Sequence, residues 1–153
     1  ISERNINEEP SAITRLIDLG VQPFLISSTL TGVAAQRLVR KICPHCEESY
    51  QVGVADLAPL RLRMKPGAEL ELKTGKGCQQ CRNTGYLGRT GVFEVLPMGE
   101  KLGELTNRKA SLAELQKVSL QEGMQTLQKS AVDKMLRGIT TFEEVVRVTM
   151  VER

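Results

Sequence analysis

Four residues carry most of the chemistry that can be read from this chain. They are its only cysteines, Cys43 and Cys46 flanking Pro44-His45, and Cys78 and Cys81 flanking Gln79-Gln80. Two residues between cysteines let a tight turn aim both thiolates at one ion. Two such turns supply the four soft ligands of a closed tetrahedral zinc site. Closing the loop over residues 47–77 costs about 3 kcal/mol of chain entropy, whereas zinc on a four-thiolate site releases about 10–16 kcal/mol. Disulfides would return about 2–4 kcal/mol each, and they suit an oxidising compartment rather than a cytosolic one. The expected metal ligands are therefore Cys43, Cys46, Cys78 and Cys81 around structural Zn2+, with no open position for water or substrate. Redox dithiols and independent reduced cysteines are the alternatives that the spacing allows.

The other candidates are weaker. His45 is the only histidine, and with the shell already filled it is expected to point outward. No Ser-His-Asp set or second histidine supports nucleophilic or acid-base catalysis, so no catalytic residue is assigned. Lys73-Thr74-Gly75-Lys76-Gly77 falls short of a phosphate loop, because that motif needs Gly at position 70 and Ser or Thr at 77, where this chain has Leu70 and Gly77. It reads as a basic turn delivering Cys78. Arg37, Arg40 and Arg89 flank the cysteine region and suit a subunit-interface or coupling role, with solvated or ion-paired positions as the plainer alternative. Arg37 and Arg40 lie three apart on an expected strand, so they face opposite sides and one should be internal. Arg89 could join the cysteine segment to a core by gripping a carboxylate, with Glu94 as a candidate partner.

The surrounding elements must position these groups. Pro10 to Leu19 has helical spacing of Ile13, Leu16 and Ile17. Phe24 to Ala35 reads as a buried helix and Gln36 to Ile42 as a strand. From Cys43 to Gly91 only Leu57–Leu62 and Leu70–Leu72 are apolar, too little for an independent core. Thr90 to Leu96 reads as a strand closed by Pro97. Beyond it the pattern is helical, with capping boxes at Ser111/Glu114 and Thr140/Glu143 and a break at Gly123, giving a C-terminal bundle.

Composition limits the function classes. At 153 residues the chain is too short for a multidomain enzyme. A net charge of +3 and 3% aromatic residues give little basis for binding stacked bases. No stretch reads as a membrane helix or a signal peptide, so the expected location is cytoplasmic. Ile1 to Glu8 shows no core pattern, and the chain reads as a fragment of a longer parent.

An ordered series of segments carries a family likeness. Pro10-Ser11-Ala12-Ile13-Thr14-Arg15-Leu16-Ile17-Asp18-Leu19-Gly20-Val21-Gln22-Pro23-Phe24-Leu25 is followed by Gly32-Val33-Ala34-Ala35-Gln36-Arg37-Leu38-Val39-Arg40. Then come Cys43-Pro44-x-Cys46, Gly77-Cys78-x-x-Cys81, Thr84-Gly85-Tyr86, Gly88-Arg89-Thr90-Gly91-Val92-Phe93-Glu94 and Gly138-x-Thr140-Thr141-x-Glu143-Glu144-Val145. From about Glu9 to Thr149 this resembles the late part of the hexameric type II secretion and type IV pilus assembly ATPases. The resemblance implies an α+β chain. Residues 1–42 would be the tail of a RecA-like ATPase core, 43–91 a tetracysteine zinc insertion, 92–97 a strand returning to the core, and 98–153 the helical C-terminal domain.

The resemblance also implies that the phosphate loop, Walker B acid, catalytic glutamate and histidine motif lie upstream. ATP and Mg2+ would then belong to the parent, and this chain alone is expected to be inactive. The implied partners are the rest of the ATPase, neighbouring subunits of a homo-hexamer and inner-membrane platform proteins, with no nucleic acid. The location would be cytoplasmic and peripheral to the inner membrane. Two departures stand out: Ile1 to Glu8 differs from the Thr-Leu-His-Thr-Asn type of sequence expected there, and Ser130-Ala131 replaces a common Asp-Gly. Rival readings are a zinc-ribbon nucleic-acid binder and a cysteine module like those of J-domain co-chaperones, the latter needing more than two repeats.

Overall fold

A computed structural model describes residues 10–60 and 69–150. The expectations on Ile1 to Glu8 and on Leu62 fall outside them. In chain order the elements are helices α1 (Pro10–Asp18) and α2 (Pro23–Thr29), strands β1 (Gly32–Ile42) and β2 (Glu47–Gly53), a 3-10 segment (Val54–Leu60), strands β3 (Glu69–Gly75) and β4 (Tyr86–Pro97), and helices α3 (Glu100–Asn107), α4 (Leu112–Gln121), α5 (Leu127–Leu136) and α6 (Phe142–Thr149). The architecture is mixed α+β. Among the described residues no helix is long and apolar enough to cross a membrane.

The buried helix expected over Phe24 to Ala35 is corrected. It stops at Thr29, and Gly32 to Ala35 open a strand. The hydroxyls of Ser27, Ser28 and Thr29 donate back to the carbonyls of Phe24 and Leu25, competing with helix propagation. Leu30 is then extended, at φ −75° and ψ 117°. At Gly32 a Cβ would stand 2.9 Å from the Leu96 carbonyl oxygen, so glycine lets β1 approach β4 closely. Phe24 is 61% exposed, and Ile26 alone is buried in α2. The local apolar run favours a buried helix, but pairing with β4 decides the backbone from Gly32 on.

Packing forms two compact units among the described residues, 10–36 with 93–126 and 37–92 with 127–150. The first is centred on Ile13, Ile26, Leu96, Leu102, Leu105 and Leu115. The second gathers Leu57, Leu60 and Leu72 from the cysteine-bearing segment with Val39, Val92, Ala131, Met135, Val145 and Val148. The segment poor in apolar residues thus borrows its core from α5, α6 and the central strands. The helices after Pro97 divide between the units: α3 and α4 belong to the first and α5 and α6 to the second.

Inside the second unit β2 and β3 form an antiparallel ribbon running from Glu47 opposite Gly75 to Gly53 opposite Glu69. Its polar faces gave no strand signal in the sequence. Lys73 bonds Glu47 at 3.0 Å, and Ser49 bonds Glu71 at 2.9 Å across it. The expected capping box at Ser111 and Glu114 is present. The one at Thr140 shifts by a residue: Thr141 caps α6 by accepting from the Glu144 amide, and the Thr140 hydroxyl donates to the Arg40 carbonyl at 2.7 Å.

Candidate metal centre

β1 leads directly into Cys43, and the Cys43 amide donates to the Gly85 carbonyl at 2.9 Å, which anchors the first turn. Cys46 closes that turn onto the Cys43 carbonyl at 3.3 Å. The second turn is a 3-10 segment, Gln79–Cys81, closed by Arg82 and Asn83 in the left-handed region. Thr84 fastens it by donating to the Cys81 carbonyl at 2.6 Å. These hydrogen bonds bring the four sulfurs within 4.8 Å of one another.

The thiols are free, with Sγ to Sγ distances of 3.9 Å for Cys43–Cys78, 3.9 Å for Cys46–Cys81 and 3.7 Å for Cys78–Cys81. A disulfide needs about 2.05 Å. A tetrahedral ion with metal–sulfur bonds of about 2.3 Å spaces its sulfurs about 3.8 Å apart. The donor set and spacing therefore fit a four-thiolate metal ion.

Electrostatics agree. Burial raises the Cys43 thiol and pushes Cys46 up to about 12. Burial opposes ionisation of Cys81 too, but amide hydrogen bonds from Cys78 at 3.2 Å and Gly85 at 3.3 Å contribute to holding it at about 6. Four thiolates this close cannot all ionise in a buried site without a cation to balance them. Cys43, Cys46 and Cys81 are buried and Cys78 half-buried, while His45 is exposed.

Arg37 and Arg40 both reach α6, by different chemistry. Arg37, half-buried, donates to the Val148 carbonyl at 2.9 Å. Arg40 meets the carboxylate of Glu144, which is 1% exposed, through Nη2 at 2.9 Å, Nε at 3.0 Å and its backbone amide at 2.7 Å. Arg147 completes the pair by donating to the same carboxylate at 2.8 and 2.9 Å. The Arg40 guanidinium also lies 4.1 Å from the centroid of the Tyr86 ring. Arg89 is exposed on β4 beside an open cavity of about 280 Å³ lined by Arg40, Thr84, Tyr86, Gly88 and Arg89. It makes no ion pair among the described residues. Glu94 lies five residues further along the same strand, β4.

A family model described as "Type II/IV secretion system protein" matches residues 5–147. This chain belongs to that family. The secretion-family chain is 39% identical to the type IV pilus assembly ATPase TfpB of Acinetobacter baylyi, over 97% of its own length and 25% of the relative. It is 41% identical to the type II secretion system ATPase E of Vibrio cholerae, over 97% of its length and 29% of the relative. It is 39% identical to the type II secretion system protein E of Pseudomonas aeruginosa, over 99% and 30%. It therefore spans 25–30% of the length of these relatives. They do not favour the nucleic-acid or co-chaperone readings.

Sequence reasoning missed Glu144, Tyr86 and Thr141 in this secretion-family chain. The Thr141-x-x-Glu144 spacing was an available capping signal. Nothing local marked Glu144 as a buried carboxylate shared by two arginines. Burial alone would raise its carboxyl, but the hydrogen bonds from Arg147 and Arg40 outweigh it and hold the group at about 2. A depressed folded value contributes stability above the ordinary value of 4.5, lost as pH falls towards 2. Discounting for guanidiniums that are 51% exposed, the contribution is about 2 kcal/mol. In thermal melts the advantage of the parental chain over Glu144→Gln is expected to be full above pH 5 and to shrink steadily towards pH 2.

Proposed function

We propose that this chain is the tetracysteine-bearing C-terminal part of a secretion or pilus-assembly ATPase, with its four thiols holding one structural zinc ion. The observation that carries the reading is four free cysteines within 4.8 Å of one another, on a chain whose family match covers residues 5–147. Zinc on Cys43, Cys46, Cys78 and Cys81 supplies cohesion without an open coordination position. The chain braces and transmits rather than catalyses.

On this reading residues 1–42 finish a RecA-like core, 43–91 are the zinc module, 92–97 return to the core, and 98–153 form the C-terminal region. ATP and Mg2+ belong to upstream segments of the parent. The parent works as a homo-hexamer in the cytoplasm, held at the inner membrane through platform proteins that its ATP turnover drives.

Arg89 fits the coupling role. It is exposed, carries no ion pair among the described residues and stands four residues beyond Gly85, which bonds both cysteine turns. In the full-length parent, Arg89→Ala is expected to lower ATP turnover and secretion or pilus output by about tenfold, the scale of one lost guanidinium–carboxylate contact, with zinc content normal. Arg89→Lys should recover only part of it, because a point charge does not reproduce a two-pronged contact. Parental turnover and output in Arg89→Ala would return this arginine to a solvated-surface role. Cys43→Ser tests the wider reading in the same assays, since it should lose both zinc and output.

A further inference from the structure

Gly85 touches both Cys-x-x-Cys turns. Its amide donates to Cys81 Sγ at 3.3 Å, and its carbonyl accepts from the Cys43 amide at 2.9 Å. One residue thus spaces the two halves of the cluster. Its position depends on Tyr86, whose hydroxyl shares a 2.9 Å hydrogen bond with Thr141 and whose ring lies against Arg40.

The other strand entering the cluster is held by the same short stretch. The Glu144 carboxylate accepts from both the guanidinium and the backbone amide of Arg40, Thr140 donates to the Arg40 carbonyl, and the Ile139 carbonyl accepts from the Ile42 amide at 3.0 Å, one residue before Cys43. Residues 139–144, at the start of α6, therefore hold β1 and β4 at the points where each meets the cysteines. Glu144 Cα lies about a hundred positions along the chain from Arg40, yet no closer element grips that strand end through a side-chain ion pair among the described residues.

We propose that Glu144, Thr141 and Tyr86 are positioning residues of the metal centre. Acting through Arg40 and Gly85, they keep the two cysteine turns at ligand spacing, so that metal occupancy and the docking of α6 are thermodynamically linked. The inference rests on the metal reading of the cysteines. Groups that orient ligands commonly change metal affinity by about 10–100-fold. Linkage is reciprocal: if α6 contacts strengthen metal binding, bound metal must strengthen those contacts by the same factor.

The test uses the whole chain loaded with zinc or cobalt. Competition against a chromophoric chelator should show zinc held about tenfold more weakly by Glu144→Gln. Tyr86→Phe keeps the ring against Arg40, removes only the hydroxyl and should fold normally, with about a threefold loss. Thr141→Ser should retain parental affinity while Thr141→Val loses it. The cobalt–thiolate charge-transfer band should shift in Glu144→Gln and Tyr86→Phe. Hydrogen exchange in α6 should quicken about tenfold when metal is removed, with α4 unchanged as the internal reference.

Zinc affinities within about twofold of parental in both variants, with α6 exchange independent of metal, would overturn the proposal even if melting temperatures fell. Should Glu144→Gln fail to fold, Tyr86→Phe and the Thr141 pair decide. A parental chain that binds neither zinc nor cobalt overturns the metal reading itself, and this inference with it.

Discussion

Purified chain is expected to carry about one zinc per molecule, and a strong chelator at neutral pH is expected to disorder residues 43–46 and 76–85 while α3 and α4 stay folded. The two stretches hold all four cysteines and the hydrogen bonds that set them, but they contribute no side chain other than cysteine to the apolar clusters. The ribbon between them differs. Leu57, Leu60 and Leu72 are each 1% exposed in a core shared with α5 and α6, and burial of this kind is worth about 1.5–3 kcal/mol per side chain. On the metal reading, binding worth about 10–16 kcal/mol would therefore dominate the turns, whereas packing would hold much of the ribbon without it.

Cys43→Ser and Cys78→Ser should both abolish stoichiometric zinc and reproduce the chelated state, because a neutral hydroxyl is a poor substitute for a thiolate ligand. Elemental analysis with residue-resolved hydrogen exchange decides the matter. Unchanged protection at 43–46 and 76–85 after complete metal removal would show that hydrogen bonding and packing suffice.

The second large effect is expected at Gly75 and Gly85, whose backbones cross in van der Waals contact. A Cβ on either would overlap the carbonyl group of the other. Neither strand can retreat. Gly75 is paired with Glu47 at the end of the β2–β3 ribbon, and Gly85 is bonded to Cys81 Sγ and the Cys43 amide. Gly85 also has φ of +77°, where an L side chain adds about 1–2 kcal/mol of strain.

Gly75→Ala and Gly85→Ala should each cost about 4 kcal/mol or more, enough to lower the melting temperature by about 10 °C and to weaken zinc retention. Gly20→Ala is the control. It has φ of +91° with nothing within 4 Å of the added methyl, so only the strain of about 1 kcal/mol should appear. Equal effects at Gly20 and Gly85 would show that conformation, rather than the backbone crossing, governs the site.

The features legible in the sequence are those whose physics is local. Cys-x-x-Cys spacing, the Ser111/Glu114 box and the closing Pro97 depend on residues three or fewer apart, and each is present in the structure. The ordered family blocks were legible too, because identity along a chain needs no folding to be read. The failures are equally physical. Apolar residues from Phe24 to Ala35 fit a helix by composition, but three consecutive hydroxyl residues and pairing of Gly32 beside Leu96 ended it.

The polar ribbon β2–β3 gave no alternation to detect, and its strands exist because Leu72 and its neighbours find a core built by α5 and α6. The division of the four C-terminal helices between two units likewise depends on which core each apolar face meets. Glu144 shows the limit most plainly. A glutamate in the first turn of a helix is locally a charge on the dipole. Only the fold, by bringing Arg40 from the end of β1 to its carboxylate, makes it a buried ion that braces the strand entering the cysteines.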